Sequence, residues 1–172
     1  MRCPNRGLCI ALLAGLAALA GCDARSPLGN PATQRGEAVP SKEVGHGALR
    51  FVEGYVRGYE QARREGKPML VFFTAEGCGY CEETVREASA DEDVVRLSGK
   101  FVCILVDADL EPEICRDFRV RGYPTIQFMS PQGVPLNRLM GKTAPHQLAL
   151  QMQAALQATA SRIRYIRQTA VR

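Results

Sequence analysis

The sequence predicts a layered α/β fold in a single domain. Two unbroken apolar runs, residues 69–73 and residues 101–106, are typical of strands that are buried on both faces of a sheet. Helical patterns alternate with strand patterns along the chain, which favours helices packed on a sheet. The 172 residues, of which 46% are hydrophobic, are enough for one ordinary domain and require no second one.

Two cysteines follow the first apolar run, at the point where a helix is expected to begin. Cys78 and Cys81 are three positions apart, so they can close a small disulfide ring without a large backbone movement. The free N–H groups and the dipole of a first helical turn favour a thiolate at Cys78. We expect Cys78 to attack substrate disulfides, and Cys81, further inside, to be shielded and to release the mixed disulfide.

Several separated motifs carry a family resemblance. The chain has KPMLVFFTAEGCGYC at residues 67–81, VDAD at residues 106–109 and RGYPT at residues 121–125. In this order and spacing they resemble the thioredoxin superfamily, over roughly residues 50–160. The resemblance implies a thioredoxin fold, in which helices flank a central mixed β-sheet, and a protein thiol–disulfide oxidoreductase that needs no cofactor.

The resemblance also implies a substrate groove beside the cysteine pair. The Tyr123–Pro124 peptide bond should be cis and lie against the cysteines, where a client peptide would bind as an added strand; an ordinary trans turn is the alternative. The pair should form a disulfide, and the sequence CGYC resembles the pair of periplasmic disulfide isomerases. The expected substrate-binding residues are Gly77, Gly79, Tyr80, Tyr123, Pro124 and Gly141.

Three positions depart from thioredoxin itself. Gly77 stands where the family usually has Trp, which leaves Cys78 less covered. Phe72 replaces a buried Asp that helps to take the proton from the second cysteine, and Leu105 replaces its Lys partner. Glu76 is one candidate for a substitute acid, although an exposed loop carboxylate is the commoner interpretation. We therefore expect slow release of the mixed disulfide.

The other two cysteines of the domain are Cys103, in a predicted strand, and Cys115, in the following predicted helix. A free buried cysteine acts as a small hydrophobic residue, and this is the leading interpretation of both. A structural disulfide between them is the second possibility. Zinc shared with Cys78 and Cys81 is the third, but the spacings fit no usual zinc pattern, so no metal is expected.

The N-terminal segment resembles a bacterial lipoprotein signal. Arg2 and Arg6 precede an apolar run at residues 8–20, and LAGC follows at residues 19–22. The run is shorter than the roughly 20 residues of a membrane-spanning helix. Residues 1–21 would be a signal peptide, and Cys22 would be lipidated; an ordinary cleaved signal is the alternative. Asp23 resembles an inner-membrane retention signal of some Gram-negative bacteria.

These signals divide the chain into four parts. Residues 22–47, rich in Gly, Pro and polar residues, are predicted to be a flexible tether that includes a solvated His46. Residues 48–160 form the predicted thioredoxin-like domain, and residues 161–172 form a basic C-terminal helix extension. The arginines of that extension are expected to be solvated, with contact to anionic lipid as the alternative.

Two helices of the domain are predicted in detail. An amphipathic helix should begin near Leu49, because Phe51, Tyr55, Tyr59 and Ala62 then share one face. Gly66 should end this helix. The last helix should begin after Thr143 as its N-cap and should bury an apolar stripe made of Leu148, Met152, Ala155, Leu156 and Ile163.

The sequence thus predicts a thiol–disulfide oxidoreductase that is lipid-anchored in the bacterial cell envelope and faces the periplasm. Disulfide-bearing client proteins are its expected partners, and a membrane electron donor should keep it reduced, because the compartment supplies no thiol buffer. The formal net charge of +4 falls by two with the signal, too little to indicate nucleic-acid binding. We expect a monomer. The alternatives are a disulfide isomerase and a non-catalytic client-binding module.

Overall fold

The computed structural model describes residues 43–169. Six strands and five helices follow one another in this part of the chain: β1 (Glu43–His46), β2 (Leu49–Glu53), α1 (Tyr55–Glu65), β3 (Met69–Thr74), α2 (Gly79–Ala90), α3 (Glu92–Ser98), β4 (Val102–Asp107), α4 (Pro112–Asp117), β5 (Thr125–Met129), β6 (Pro135–Met140) and α5 (Pro145–Thr169). The two apolar runs of the sequence became β3 and β4, as predicted.

The six strands form one mixed sheet in the order β1-β2-β4-β3-β5-β6. Strand β4 runs parallel to both β2 and β3, whereas β3 pairs antiparallel with β5. The outer pairs, β1 with β2 and β5 with β6, are antiparallel hairpins. Strand β3 therefore lies inside the sheet, which explains why five consecutive apolar residues, 69–73, are all buried.

Helices cover both faces of the sheet. Alternate residues of β3 point to opposite sides, so Leu70 and Phe72 pack with residues of α2, α3 and α5. Met69, Val71 and Phe73 pack with residues of α1 and α4. The predicted α/β fold, a single domain with a central mixed sheet flanked by helices, is confirmed.

Helix α1 approaches the sheet closely at Gly58. An ideal Cβ atom built on Gly58 would lie 2.4 Å from Cγ1 of Ile104 on β4, so a side chain has no room there. Gly66 ends the helix in the left-handed conformation, with φ of 65°, as predicted. These two glycines fix where α1 lies on the sheet and where β3 begins.

The predicted start of the domain was wrong. Glu43–His46 was assigned to the tether, yet it forms β1 and pairs with β2 through four residue pairs. Four residues with the sequence EVGH are too short to show the alternation of a strand, and their order comes from the neighbouring strand. The ordered domain therefore begins before residue 48.

The predicted lead-in helix was also too long. Leu49–Glu53 is strand β2, not helix, and α1 begins only at Tyr55. Gly54, with φ of 88°, separates the two elements. The helical spacing from Phe51 to Tyr55 was coincidental, because pairing with β4, some 50 residues later, decides the conformation of β2.

The last helix begins slightly later than predicted. Thr143 is not its N-cap, because its hydroxyl donates to the carbonyl of Gly141 at 3.1 Å. The apolar stripe is confirmed in part: Leu148, Met152 and Ala155 are buried, whereas Leu156 and Ile163 are only partly buried. Helix α5 continues to Thr169, so the described part of the predicted extension, residues 161–169, is helical.

Other sequence predictions fall outside the described residues. The signal peptide, residues 1–21, and Cys22 lie there, as does most of the predicted tether. None of the helices within residues 43–169 has the length and apolar character needed to cross a bilayer.

Candidate active site

A disulfide joins Cys78 to Cys81 at the junction between β3 and α2. Cys78 is the N-cap of α2, and the backbone N–H of Cys81 donates to Cys78 Sγ at 3.3 Å. The N–H of Glu82 and that of Cys81 also donate to the Cys78 carbonyl. The first sulfur of the pair therefore accepts an N–H group and lies at the positive end of the helix dipole, where negative charge is stabilised.

The two sulfurs differ in access to solvent. Cys81 is 3% exposed and belongs to the core cluster under α2. Cys78 is only partly buried, and its neighbours Gly77 and Gly79 are exposed. An incoming disulfide can therefore reach Cys78 but not Cys81, which is the arrangement expected of an attacking and a shielded thiol.

The Tyr123–Pro124 peptide bond is cis, as the resemblance implied, and the trans alternative is excluded. Pro124 is buried and leads directly into β5, whose first residue, Thr125, pairs with Phe73 near the end of β3. The N–H of Gly141 donates to the carbonyl of Pro124 at 2.7 Å. The fold thus brings Tyr123, Pro124 and Gly141 to the same end of the sheet as the cysteine pair.

The exposed rim of the site is partly apolar. Tyr80, between the two cysteines, is 64% exposed, and Met140, directly before Gly141, is 60% exposed. Gly77 has φ of 68°, a conformation that favours glycine over Trp or any other residue with a side chain. Met140 was missed by the sequence analysis, because within a strand pattern nothing distinguishes an outward apolar residue from a buried one.

The side chain of Tyr123 packs against the core clusters on both faces of the sheet. It forms a side-chain hydrogen bond with Cys115, and burial, followed by the charge of Cys115, raises the pKa of Tyr123. Burial also raises the pKa of the Cys115 thiol, and the hydrogen bond from Tyr123 opposes this effect. The ring of Tyr123 thus anchors the residue that precedes Pro124, which leaves its backbone as the part available to a substrate.

The loop before Cys78 is held by a residue that the sequence analysis did not single out. Asp109, in the VDAD motif, accepts a hydrogen bond from the backbone N–H of Glu76 at 2.7 Å. The N–H of Ala108 also donates to the carbonyl of Thr74. The motif was quoted as a family signal, and these contacts give its physical role: they fix the entry to the cysteine pair.

A thioredoxin-like domain model matches residues 56–156, more than half of the chain and the whole site. The chain belongs to this family. Its fold is similar to that of a thioredoxin from Thermus thermophilus, with a TM-score of 0.58 and 26% identity, over 65% of this chain and 90% of that one.

Two curated relatives illustrate the sequence similarity. Mouse protein disulfide-isomerase A2 is 34% identical over 99 residues, which is 57% of this chain and 18% of that protein. The thioredoxin-like protein HCF164 of Arabidopsis thaliana chloroplasts is 29% identical over 109 residues, 63% of this chain and 41% of that protein. The chain thus spans less than a fifth of the disulfide isomerase. Both relatives are named as members of the thioredoxin and disulfide-isomerase group, which supports a thiol–disulfide oxidoreductase at the family level.

Beneath the disulfide, this thioredoxin-like chain has no acid–base pair at the two positions that the resemblance singled out. Phe72 on β3 pairs directly with Leu105 on β4, and Phe72 is buried. Glu76, the candidate substitute acid, lies exposed on the loop. The register shows that the two positions are neighbours, as a departure at an acid–base pair requires.

A cleft of about 370 Å³ lies beside the cysteine pair. Its walls include both sulfurs, Phe72 and Leu105, together with a polar side made of His46, Glu82, Arg86 and Ser89. The interpretation of His46 as a linker residue was wrong: it remains exposed, but it belongs to β1 and lines this cleft.

The two other cysteines of residues 43–169 are free and buried, as the leading interpretation predicted. Cys103 packs in the cluster under α2, whereas Cys115 packs on the other face of the sheet. They cannot pair across the sheet, so the alternative of a structural disulfide is wrong. Within residues 43–169, no group of three His, Cys, Asp or Glu side chains is arranged to hold a metal ion.

Proposed function

We propose that this protein is a thiol–disulfide oxidoreductase that reduces disulfides of client proteins through Cys78 and Cys81. One observation carries the proposal: the N–H of Cys81 points at Cys78 Sγ at the start of α2, while the sulfur of Cys81 is buried. Once the pair is reduced, this N–H and the helix start stabilise a thiolate on the more accessible sulfur.

The reaction proceeds in two exchanges. The Cys78 thiolate attacks one sulfur of a client disulfide, forms a mixed disulfide and releases the other client sulfur as a thiolate. The Cys81 thiolate then attacks Cys78 Sγ, which breaks the bond to the client. The client gains two electrons and the Cys78–Cys81 disulfide forms again. The Cα atoms of Cys78 and Cys81 are 5.2 Å apart, so the backbone needs little movement when the disulfide forms.

A client would bind along the end of the sheet that carries Pro124. The backbone of Tyr123 is held there by the side-chain hydrogen bond with Cys115, and the carbonyl of Pro124 already accepts the N–H of Gly141. An extended client segment can pair with the backbone of Tyr123, as in recognition by strand addition. The exposed, largely apolar side chains of Tyr80 and Met140 offer contacts that depend little on client sequence.

The cellular setting proposed here is the bacterial cell envelope, on the periplasmic side. Lipidation of Cys22 would anchor the protein, and the segment up to residue 42 would act as the tether. A thiol-transferring membrane partner would supply electrons, because disulfides persist in that compartment. The protein would act as a monomer. The support is the lipoprotein-like signal in the sequence.

Disulfide isomerisation is the second candidate, and the 34% identity with mouse protein disulfide-isomerase A2 favours it. Isomerisation needs the same attack by Cys78, but it ends with a new client disulfide, and the client stays oxidised. A client with scrambled disulfides distinguishes the two functions, because a reductase consumes dithiothreitol in proportion to the bonds broken and an isomerase does not.

Reduction of insulin by dithiothreitol tests the proposal. The protein should accelerate the reaction, and Cys78→Ser should reduce the rate to that of dithiothreitol alone. Cys103→Ala, a change of a free cysteine that is 6% exposed, is the control and should retain the acceleration. Equal rates for the protein and for Cys78→Ser would remove the enzymatic function and favour a client-binding module with a structural disulfide.

A further inference from the structure

His46 lies on the side of the sheet that carries the buried sulfur. In the antiparallel hairpin, His46 pairs with Leu49, and paired residues point to the same face. Leu49 and Phe51 belong to the cluster that also contains Cys81. The hairpin that carries His46 also precedes the segment matched by the family model, which begins at residue 56.

Three contacts hold the hairpin in this position. The imidazole ring of His46 meets the ring of Phe51 edge to face, with 5.9 Å between centroids. Phe51 in turn contacts Phe72, with 6.1 Å between centroids. At the turn, an ideal Cβ atom on Gly47 would lie 2.6 Å from Oγ of Ser89, so the turn lies directly on α2. The hairpin therefore packs against β3 and α2, and His46 itself contacts Phe51 of β2.

The cleft connects His46 to Cys81. Both residues line the same space of about 370 Å³, which is large enough for a water molecule that bridges two polar groups. A proton can pass between an acid and a base directly or through one such water. The contact chain from His46 through Phe51 ends at Phe72, the position at which the resemblance implies an acid.

Release of a client requires that Cys81 lose its proton, and burial makes this loss costly. Two other ionisable side chains line the same cleft, Glu82 and Arg86, both from α2. A carboxylate is a weaker base than an imidazole, and a guanidinium does not accept a proton at all. The walls contributed by β3 and β4 are Phe72, Thr74 and Leu105, none of which has an ionisable side chain. Imidazole is the group whose ordinary titration lies near neutral pH.

We propose that His46 accepts the proton of Cys81 in the step that releases the client, which is a role that rests on the proposed function. The thiol proton of Cys81 passes to the imidazole, directly or through one water, and the thiolate attacks Cys78 Sγ. The bond between Cys78 and the client sulfur breaks, and its electron pair leaves with the client thiolate. The imidazolium then returns the proton to that thiolate or to solvent.

The test separates the two exchanges. The reduced protein is mixed with a peptide disulfide, the reaction is quenched with acid and alkylated at intervals, and the mixed disulfide on Cys78 is measured by mass spectrometry. In His46→Gln, formation of the mixed disulfide should be unchanged, whereas its release should slow by about 10-fold or more. His146→Gln changes the other histidine of the chain, which is exposed at the start of α5, and should match the unmodified protein.

Two further readouts distinguish proton transfer from a structural effect. The pH dependence of the release rate should change in His46→Gln and stay the same in His146→Gln. Added imidazole should accelerate release in His46→Ala and leave His146→Ala unaffected. Both results would support the role of His46.

Four outcomes would overturn the inference. Unchanged release in His46→Gln would remove the role of His46 and leave the oxidoreductase function intact. If His46→Gln slowed formation and release of the mixed disulfide equally, the substitution would have disturbed the site in general. Slow release in Glu82→Gln, combined with normal release in His46→Gln, would assign the base to Glu82. If the unmodified protein formed no mixed disulfide, the proposed function itself would fall, and the role of His46 with it.

Discussion

The ammonium group of Lys142 lies 2.6 Å from a carboxylate oxygen of Glu83. Lys142 directly follows Gly141, whose N–H binds the carbonyl of Pro124, whereas Glu83 lies in the helix that begins at the cysteine pair. A second carboxylate of that helix, Glu87, lies 3.4 Å from the same ammonium. The ion pairs thus connect the two sides of the proposed substrate groove.

This connection should depend on pH. The hydrogen bond from Lys142 lowers the pKa of Glu83, so the pair stabilises the folded state above the ordinary carboxylate value of 4.5 and loses that effect as the pH falls. Glu83→Gln should lower the melting temperature slightly at about pH 7 and leave it unchanged at about pH 3. Glu60→Gln, on the exposed face of α1, is the control. A constant difference at both pH values would contradict this role of the pair.

Gly58→Ala should destabilise the fold although alanine is the better helix former. The new methyl group would overlap Ile104, which lies 2.4 Å from the ideal Cβ position, and overpacking of this kind costs about 1–3 kcal/mol. Gly99→Ala is the matched control, because its Cβ would meet its nearest neighbour at 3.8 Å. Urea unfolding measures both changes. A stabilised Gly58→Ala would show that α1 can move away from β4 at little cost.

Asp109→Ala should slow client reduction without changing the cysteines. The substitution removes the oxygen that accepts the N–H of Glu76 at 2.7 Å, so the loop before Cys78 loses its anchor. We expect the rate of insulin reduction to fall about 3- to 10-fold. Asp109→Asn keeps an acceptor at this position and should restore most of the rate. If Asp109→Ala matched the unmodified protein, the anchor would have no part in positioning Cys78.

Cys103 should make the stability of the protein depend on alkaline pH. Burial raises the pKa of its thiol to about 12, so the native state keeps the proton while the unfolded chain loses it above 9.0. The favourable contribution is complete below pH 9.0 and decreases as the pH rises toward 12, by about 1 kcal/mol per pH unit. The free energies of unfolding of the protein and of Cys103→Val should be measured at about pH 7 and about pH 10, and their difference should change between the two. If the difference in unfolding free energy between the protein and Cys103→Val were the same at both pH values, this effect of Cys103 would be refuted.

The parts of the fold that the sequence predicted correctly are those with local signals. Strands β3 and β4 show continuous apolar runs, and the cysteine pair and Pro124 belong to spaced motifs. The β1–β2 hairpin was missed, because β2 is fixed by pairing with β4, far along the chain. The position of His46 on the cleft follows from that hairpin, so no local pattern could reveal it.

In the site, too, only features with a local sequence signal could be predicted. Cys78, Cys81 and the cis bond before Pro124 could be predicted, because each depends on residues that are close in sequence or on a recognisable motif. The contact of Tyr123 with Cys115 and the anchoring of Glu76 by Asp109 join separate segments. Such contacts depend on the packed fold, and sequence spacing carries no direct signal of them.

The acidity of Cys78 in the reduced protein tests the central claim most directly. Alkylation at a series of pH values, with the modified cysteine identified by mass spectrometry, gives the pKa of each thiol separately. Cys78 should react first, with a pKa well below that of a free cysteine, whereas Cys81 should react only at higher pH. A Cys78 thiol no more acidic than free cysteine, or earlier reaction at Cys81, would contradict the proposed chemistry.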